Sequence, residues 1–157
     1  MRTPILLTAL TLALTHAEPV NAQLQDAKIL TLEAAKRIME AADAEAARNN
    51  WNVVIAIVDA GGELIMLHRR DGTQAGSVDI ARGKARTAVR FQRPTKALED
   101  QVVGGRTVWL AVEGVTPMEG GIPIVVDGRV IGGVGVSGVM SSQDAQVAQA
   151  GVNALRP

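Results

Sequence analysis

A glycine-rich stretch near the C-terminus constrains the fold of this chain more than any other feature. Residues 120–138 read GGIPIVVDGRVIGGVGVSG, in which two apolar runs are separated by Asp127-Gly128. Aspartate followed by glycine is typical of a two-residue hairpin turn, because both turn positions need a positive φ. The stretch therefore predicts an antiparallel β-hairpin.

The second strand of this hairpin lacks most of the side chains on one face. Strand side chains alternate between faces, which predicts one face with Val130, Gly132, Val134 and Val136 and another with Ile131, Gly133, Gly135 and Ser137. Glycine inside a strand often marks the close approach of another backbone or of a ligand. We expect an alanine-rich helix to pack closely on the glycine face, and a ligand-binding wall is the alternative.

The first 22 residues have the organisation of a cleaved signal peptide. Met1-Arg2 is a short positive region, residues 5–14 are apolar, and Val20-Asn21-Ala22 ends in a small-residue cleavage site. We therefore expect residues 23–157 to form a single domain in a bacterial periplasm or medium. The apolar run is too short to span a bilayer, so we expect no membrane association after cleavage.

Charge and cysteine content argue against several functions. The chain has 16 basic and 16 acidic residues, and only Trp51, Phe91 and Trp109 have aromatic rings that stack on bases. We therefore expect no nucleic-acid partner. The chain contains no cysteine, which excludes disulfides, thiolate metal sites and cysteine nucleophiles.

The rest of the chain alternates between helical and strand patterns. Thr31 is the predicted N-cap of a helix that ends near Arg48. Apolar runs at 53–58 and 63–68 flank Asp59-Ala60-Gly61-Gly62, which predicts a first hairpin. Further helices are predicted at 78–90 with Ser77 as the cap, from Pro94 to 102, and at about 143–155 after Ser141 or Ser142, and a further strand at 107–112. We expect an α+β fold, with an antiparallel sheet of about five strands flanked by helices.

Basic residues are concentrated between positions 69 and 96. The segment contains Arg69, Arg70, Arg82, Lys84, Arg86, Arg90, Arg93 and Lys96, against only Asp71 and Asp79. Two interpretations remain open: a solvated helix face balanced by acidic residues elsewhere, or a site for carboxylates, which arginine side chains and helix N-termini both favour. A small organic acid or the propionates of a porphyrin would suit such a site.

His68 is the only histidine outside the predicted signal peptide. It is either a buried, hydrogen-bonded structural residue or a metal ligand, and imidazole suits haem iron. One histidine cannot build a zinc site, and the H-E-x-x-H pattern is absent. We therefore do not expect a non-haem metalloenzyme.

Candidate catalytic residues are few, and no Ser-His-Asp order, nucleophile elbow or P-loop is present. Glu119 is either a general acid or base in a loop or an exposed carboxylate without a role. The catalytic candidates are Arg69, Asp71, Lys84 and Glu119, and the candidate ligand-binding residues are His68, Arg69, Ser77, Lys84, Thr95, Gly120 and Gly121.

Several motifs in combination resemble the GlcG/HbpS family, whose domains bind haem or are of the haem-degrading type. They are the turn at 59–62, Arg69-Arg70-Asp71-Gly72, the segment S-x-D-x-A-x-x-K-A at 77–85, Arg93-Pro94-Thr95 and the glycine-rich hairpin. The resemblance covers about residues 30–155 and extends to the C-terminal part of PduO-type cobalamin adenosyltransferases.

The resemblance implies a profilin-like fold and homo-oligomers from dimers to octamers. It favours a periplasmic or secreted protein that captures or senses haem or iron over an enzyme. The resemblance places no axial ligand on this sequence, so His68 is the candidate axial ligand on the chemistry of imidazole alone, and the propionates are expected near the basic segment. Two alternatives remain: a cofactor-free enzyme that acts on a small oxidised carboxylate metabolite, and a non-catalytic oligomeric partner subunit.

Overall fold

In the computed structural model, which describes residues 26–155, four antiparallel strands form one sheet in the order β2-β1-β4-β3. The predicted signal peptide lies outside the described residues. The elements are α1 (Leu32–Arg48), β1 (Val54–Asp59), β2 (Leu64–Arg69), α2 (Ser77–Arg90), α3 (Lys96–Val103), a 3₁₀ helix (Thr107–Ala111), β3 (Gly121–Val126), β4 (Arg129–Ser137) and α4 (Ser141–Asn153). This architecture confirms the predicted α+β fold.

Helices α1 and α4 cover one face of the sheet. Thr31 caps α1 as predicted, since its side-chain oxygen accepts a hydrogen bond from the Ala34 backbone N–H at 3.2 Å. The core beneath the two helices includes Ile38 of α1, Val147 of α4 and Ile55 of β1, all fully buried. No helix among residues 26–155 is long and apolar enough to cross a membrane.

Helix α2 covers the other face, directly over the glycines of β4. A Cβ added at Gly135 would lie 2.1 Å from the Ala81 carbonyl oxygen, and one at Gly133 would lie 2.8 Å from the Val89 side chain. Neither position has room for a side chain unless the helix moves away from the sheet. The predicted close packing of an alanine-rich helix is therefore confirmed.

The glycine-rich hairpin has the predicted turn but contains a bulge. Asp127 and Gly128 have φ values of 49° and 74°, as the turn requires. Ile124 pairs with Gly132 and Val125 pairs with Val130, so Ile131 has no partner in β3. Because one extra residue reverses the alternation, Val130 packs with the α2 side and Ile131 joins the core under α1 and α4. Their predicted faces were wrong.

The predicted fifth strand at 107–112 is absent, and the 3₁₀ helix occupies most of this segment. Contacts of Trp109 with earlier parts of the chain account for the difference: its ring meets Phe91 edge-on at 5.2 Å between centroids, and its Nε1 donates to the side-chain oxygen of Gln101 at 2.8 Å. The apolar side chains that suggested a strand, Val108 and Leu110, are exposed instead. The sheet therefore has four strands.

Candidate functional site

The residues proposed from the sequence to bind a ligand separate into two groups in the structure. His68, Arg69 and Asp71 line an open cleft at the end of β2. Lys84, Ser77, Thr95, Gly120 and Gly121 are all buried in the interior.

The cleft has a volume of about 320 Å³ and is also lined by Asn52 and Arg70. It forms where the edge strand β2 ends and the chain turns toward α2. The Arg70 backbone N–H donates to the Val53 carbonyl at 3.0 Å, and Gly72 adopts a φ of 79° in the turn. The backbone therefore holds the side chains of residues 68–71 around one opening.

His68 is on the surface of this cleft, with 44% of its side chain exposed. Its partner in β1 is Ile55, and its imidazole lies on the α1 side of the sheet. The Nδ1 atom is 3.8 Å from Oδ1 of Asp43 in α1, beyond hydrogen-bonding distance. The interpretation of His68 as a buried structural histidine was therefore wrong.

The two arginines of the cleft have different partners. Arg70 Nη1 donates to Oδ1 of Asp43 at 2.5 Å. Arg69 donates from Nε and Nη2 to the Thr73 carbonyl oxygen, at 3.1 and 2.5 Å, and has no acidic partner among the described residues. Because a guanidinium has five N–H donors, Arg69 is held in place and still has donors and an unpaired charge for an anion.

Lys84 is buried in the interior of the protein, with only 1% of its side chain exposed. Its Nζ donates to the Val136 carbonyl oxygen at 2.9 Å and to Oδ2 of Asp144 at 2.8 Å. Burial raises the pKa of the Asp144 carboxyl, although the hydrogen bond from Lys84 opposes this shift. Lys84 thus links α2 to β4 and α4, and the interpretation of the basic segment as a solvated helix face fails at this position.

Thr95, Gly120 and Gly121 pack around the same link. The Thr95 hydroxyl oxygen accepts from the Gly121 N–H at 2.9 Å, and the Thr95 N–H donates to the Gly121 carbonyl at the same distance. A Cβ at Gly120 would lie 2.8 Å from Lys84 Nζ, and one at Gly121 would lie 2.4 Å from the Lys84 carbonyl oxygen. These contacts hold the start of β3 against α2.

Ser77 does not cap α2, as the sequence had suggested. It is the first helical residue, with Gly76 at the N-cap position. Its hydroxyl is buried and forms a hydrogen bond with the Ser137 hydroxyl at 3.3 Å. Ser141 likewise begins α4 behind Met140 and is not its cap.

Glu119 lies in the loop before β3, where its backbone N–H donates to the Glu99 carboxylate. The residue is half-buried, which differs from the exposed carboxylate that the sequence suggested. The cleft at the end of β2 contains Arg69 and Asp71 but neither Lys84 nor Glu119. The four catalytic candidates therefore do not meet in this cleft.

Two acidic residues have contacts that sequence reasoning missed. Asp43 is 25 positions before His68, and only the packing of α1 beside β2 brings the two together. Asp144 lies in the first turn of α4, where an acidic residue suits the helix dipole. Its pairing with the lysine of the 77–85 motif depends on tertiary packing.

Comparison with known proteins places the chain in a family. The family model described as haem degrading protein HbpS-like matches residues 30–153. Protein GlcG of Escherichia coli K12 is 46% identical over 109 residues, which are 69% of this chain and 81% of GlcG. The corrinoid adenosyltransferase PduO of Salmonella typhimurium is 35% identical over 107 residues, 66% of this chain and 32% of PduO.

Solved structures agree with this assignment. A double mutant of Streptomyces reticuli HbpS superposes with a TM-score of 0.79 at 32% identity, and the match covers 94% of this chain and 99% of that one. The PduOC:heme complex gives a TM-score of 0.77 at 31% identity, with 82% of this chain and 96% of that one covered. The resemblance noted from the motifs is thereby confirmed, and the chain belongs to the HbpS-like haem-degrading protein family.

Proposed function

We propose that this protein is an exported haem-binding protein and that haem binds in the cleft lined by residues 52 and 68–71. The observation that carries the proposal is that the exposed imidazole of His68 lines the same cleft as the guanidinium of Arg69, which has no acidic partner among the described residues. The chain also shares its fold, at 31% identity, with a relative that was solved in complex with haem.

His68 is the proposed axial ligand. A porphyrin supplies four nitrogen ligands to its iron, so a single protein imidazole is enough to bind it. The Nδ1 atom of His68 is on the side of the ring that faces Asp43 of α1, at 3.8 Å from Oδ1. This arrangement leaves Nε2 as the nitrogen available to the metal.

Arg69 is the proposed partner of a propionate. Its two donations to the Thr73 carbonyl set the direction of the guanidinium, and charge-assisted hydrogen bonds from arginine to carboxylates are among the stronger ones in proteins. The charge of Arg70 is already paired with Asp43, so we assign Arg70 a supporting role. A free small carboxylate would bind Arg69 through the same interaction.

A second copy of the chain is proposed to cover the part of the haem that the cleft leaves exposed. The cleft is open on one side, and large apolar side chains are exposed elsewhere on the described surface, including Val103, Val108, Leu110, Val125 and Met140. Exposed apolar side chains of this kind suit contacts between subunits. We propose a homo-oligomer between a dimer and an octamer, whose mass native mass spectrometry would measure together with any retained haem.

Export forms part of the proposal and rests on the signal-peptide pattern of residues 1–22. An exposed ligand residue suits either the capture or the sensing of haem outside the cytoplasm. The enzyme alternative finds less support, because Lys84 is engaged in a buried ion pair and is not near Arg69 in the cleft. A protein that only binds a ligand does not need Lys84 and Arg69 in the same cleft.

Haemin titration of the purified apoprotein tests the proposal. We expect a shifted Soret band with saturable binding, and His68→Ala should remove the shift or change its position. Arg69→Gln should weaken binding, whereas Arg37→Gln, an exposed arginine on α1, should not. A wild-type spectrum identical to that of free haemin would reject haem binding, and a normal spectrum for His68→Ala would reject only the ligand assignment.

A further inference from the structure

Helix α2 carries a row of three arginines that lies outside the haem cleft. Arg82, Arg86 and Arg90 follow one another at four-residue intervals, which places them on one side of the helix. The alanines of α2 at positions 81 and 85 pack instead on the glycines of β4. None of the three arginines lines the cleft around His68.

The three arginines have more hydrogen-bond donors than they have hydrogen-bond partners among the described residues. Arg86 Nη2 donates to Oε1 of Glu63 at 2.9 Å, but its Nε is buried and has no hydrogen-bond partner within residues 26–155. Arg82 and Arg90 form no ion pair with any other described residue. Like charges four positions apart repel one another along a helix, so an anion beside them would stabilise the row.

A cleft of about 250 Å³ lies between this row and the loop before β3. Its helix side is formed by Asp79, Arg82, Gly83 and Arg86 of α2, and its loop side by residues 114–116. Arg90 is close to the loop as well, since its Nη1 lies 3.1 Å from the position of a Cβ on Gly114.

The loop wall of this cleft is held rigidly by α2. The Thr116 backbone N–H donates to the Thr87 hydroxyl oxygen at 2.9 Å. A Cβ at Gly83 would lie only 2.2 Å from the Thr116 hydroxyl oxygen, so the absence of a side chain at this position is what allows the loop to rest on the helix. The cleft is therefore formed before any ligand arrives.

We infer that this cleft is a second ligand site, which binds a small oxyanion, either a carboxylate or a phosphate group, between Arg82 and Arg86. Guanidinium groups match both oxyanions in geometry and charge. The volume is below the range usual for drug-sized ligands, which fits a small anion. Asp79 also lines the cleft, and because its carboxylate repels an anion, we place the ligand between Arg82 and Arg86, further along α2.

Titration of the apoprotein with inorganic phosphate and, separately, with succinate tests this inference at constant ionic strength set with chloride. Amide NMR signals of residues 114–116 should shift saturably with at least one of the two anions. Arg82→Gln should weaken that binding at least about tenfold, as expected for the loss of a charge-assisted hydrogen bond. Arg37→Gln, which removes an exposed arginine from α1, should leave it unchanged.

The two anions also identify the ligand class. Saturation by phosphate alone assigns the cleft to a phosphate or phosphate ester, and saturation by succinate alone assigns it to a carboxylate. No saturable shift with either anion, or equal weakening in both variants, would overturn the inference. Because Arg82 lies outside the cleft of His68, haemin binding by Arg82→Gln should match the wild type, which separates this site from the proposed haem site.

Discussion

The Nζ atom of Lys84 and the Oδ2 atom of Asp144 lie 2.8 Å apart, with 1% and 3% of their side chains exposed. The pair joins α2 to α4, two helices that cover opposite faces of the sheet. The Val136 carbonyl and the Val139 N–H, at 2.9 and 3.2 Å, add hydrogen bonds to Lys84 and Asp144 respectively. A motif lysine that looked catalytic in the sequence thus serves to hold the fold together.

Removal of one member of this pair should destabilise the protein strongly. Lys84→Met leaves a buried carboxylate without its counter-ion, and breaking a buried pair in this way typically costs about 3–5 kcal/mol. Urea denaturation followed by circular dichroism would measure the change in the free energy of unfolding. Lys36→Met, at an exposed position of α1, is the matched control and should change it by less than about 0.5 kcal/mol. Equal effects of the two substitutions would contradict the structural role.

The titration of Asp144 should leave a signature in the pH dependence of stability. Its folded-state pKa is raised by burial, so the folded protein binds more protons than the unfolded chain at pH values just above the ordinary pKa of the carboxyl. The stabilisation that this titration adds to the free energy of unfolding is therefore greatest at low pH, and it is lost as the pH rises through the raised pKa. Relative to Asp144→Asn, wild-type stability should decline over that range in denaturation curves recorded at several pH values. A relative gain would show that the pKa is lowered.

Gly135→Ala should be far more damaging than its small size suggests. The new Cβ would meet the Ala81 carbonyl oxygen at 2.1 Å, and α2 would have to move away from the sheet. Overpacking of this kind costs about 1–3 kcal/mol, visible as a lower thermal midpoint. Gly76→Ala is the matched control, because nothing lies within 4 Å of a Cβ at that position. A midpoint for Gly135→Ala as high as that of the control would contradict the close packing of α2 on β4.

Arg70 and Asp43 should be coupled in haem binding. Arg70→Ala would leave the Asp43 carboxylate unpaired 3.8 Å from His68, where it would repel the propionates of a bound haem. We expect haemin affinity to fall by roughly tenfold, the size of a coupling of about 1.4 kcal/mol. The double variant with Asp43→Ala should recover part of the loss. Additive losses in the double variant would exclude the coupling.

Local patterns predicted the regular elements well where the determinants are close in sequence. The Thr31 cap, the Asp127-Gly128 turn and the close packing on Gly133 and Gly135 each depend on the conformational properties of single residues. The segment at 107–112 was mispredicted because Trp109 contacts Phe91, just after the end of α2, and Gln101 of α3. A pattern of apolar residues within one segment does not contain information on contacts with distant residues.

The bulge at Ile131 shows a second limit of local prediction. Alternation along β4 depends on how many residues oppose those of β3, and the extra residue becomes visible only in the pairing of the two strands. Val130 and Ile131 therefore exchange their expected faces. Register is a property of the pair of strands and not of either strand alone.

The sequence by itself determined the family, the α+β class and the glycine-rich hairpin, because these depend on turn chemistry and short-range patterns. Only the tertiary structure decided which basic residues are available to a ligand. It placed Lys84 in a buried ion pair, left Arg69 in the same cleft as the exposed His68, and set Arg82 and Arg86 along a separate cleft. The physical reason is that burial and counter-ions, which decide whether a charge can serve a ligand, come from residues distant in sequence, such as Asp43 and Asp144.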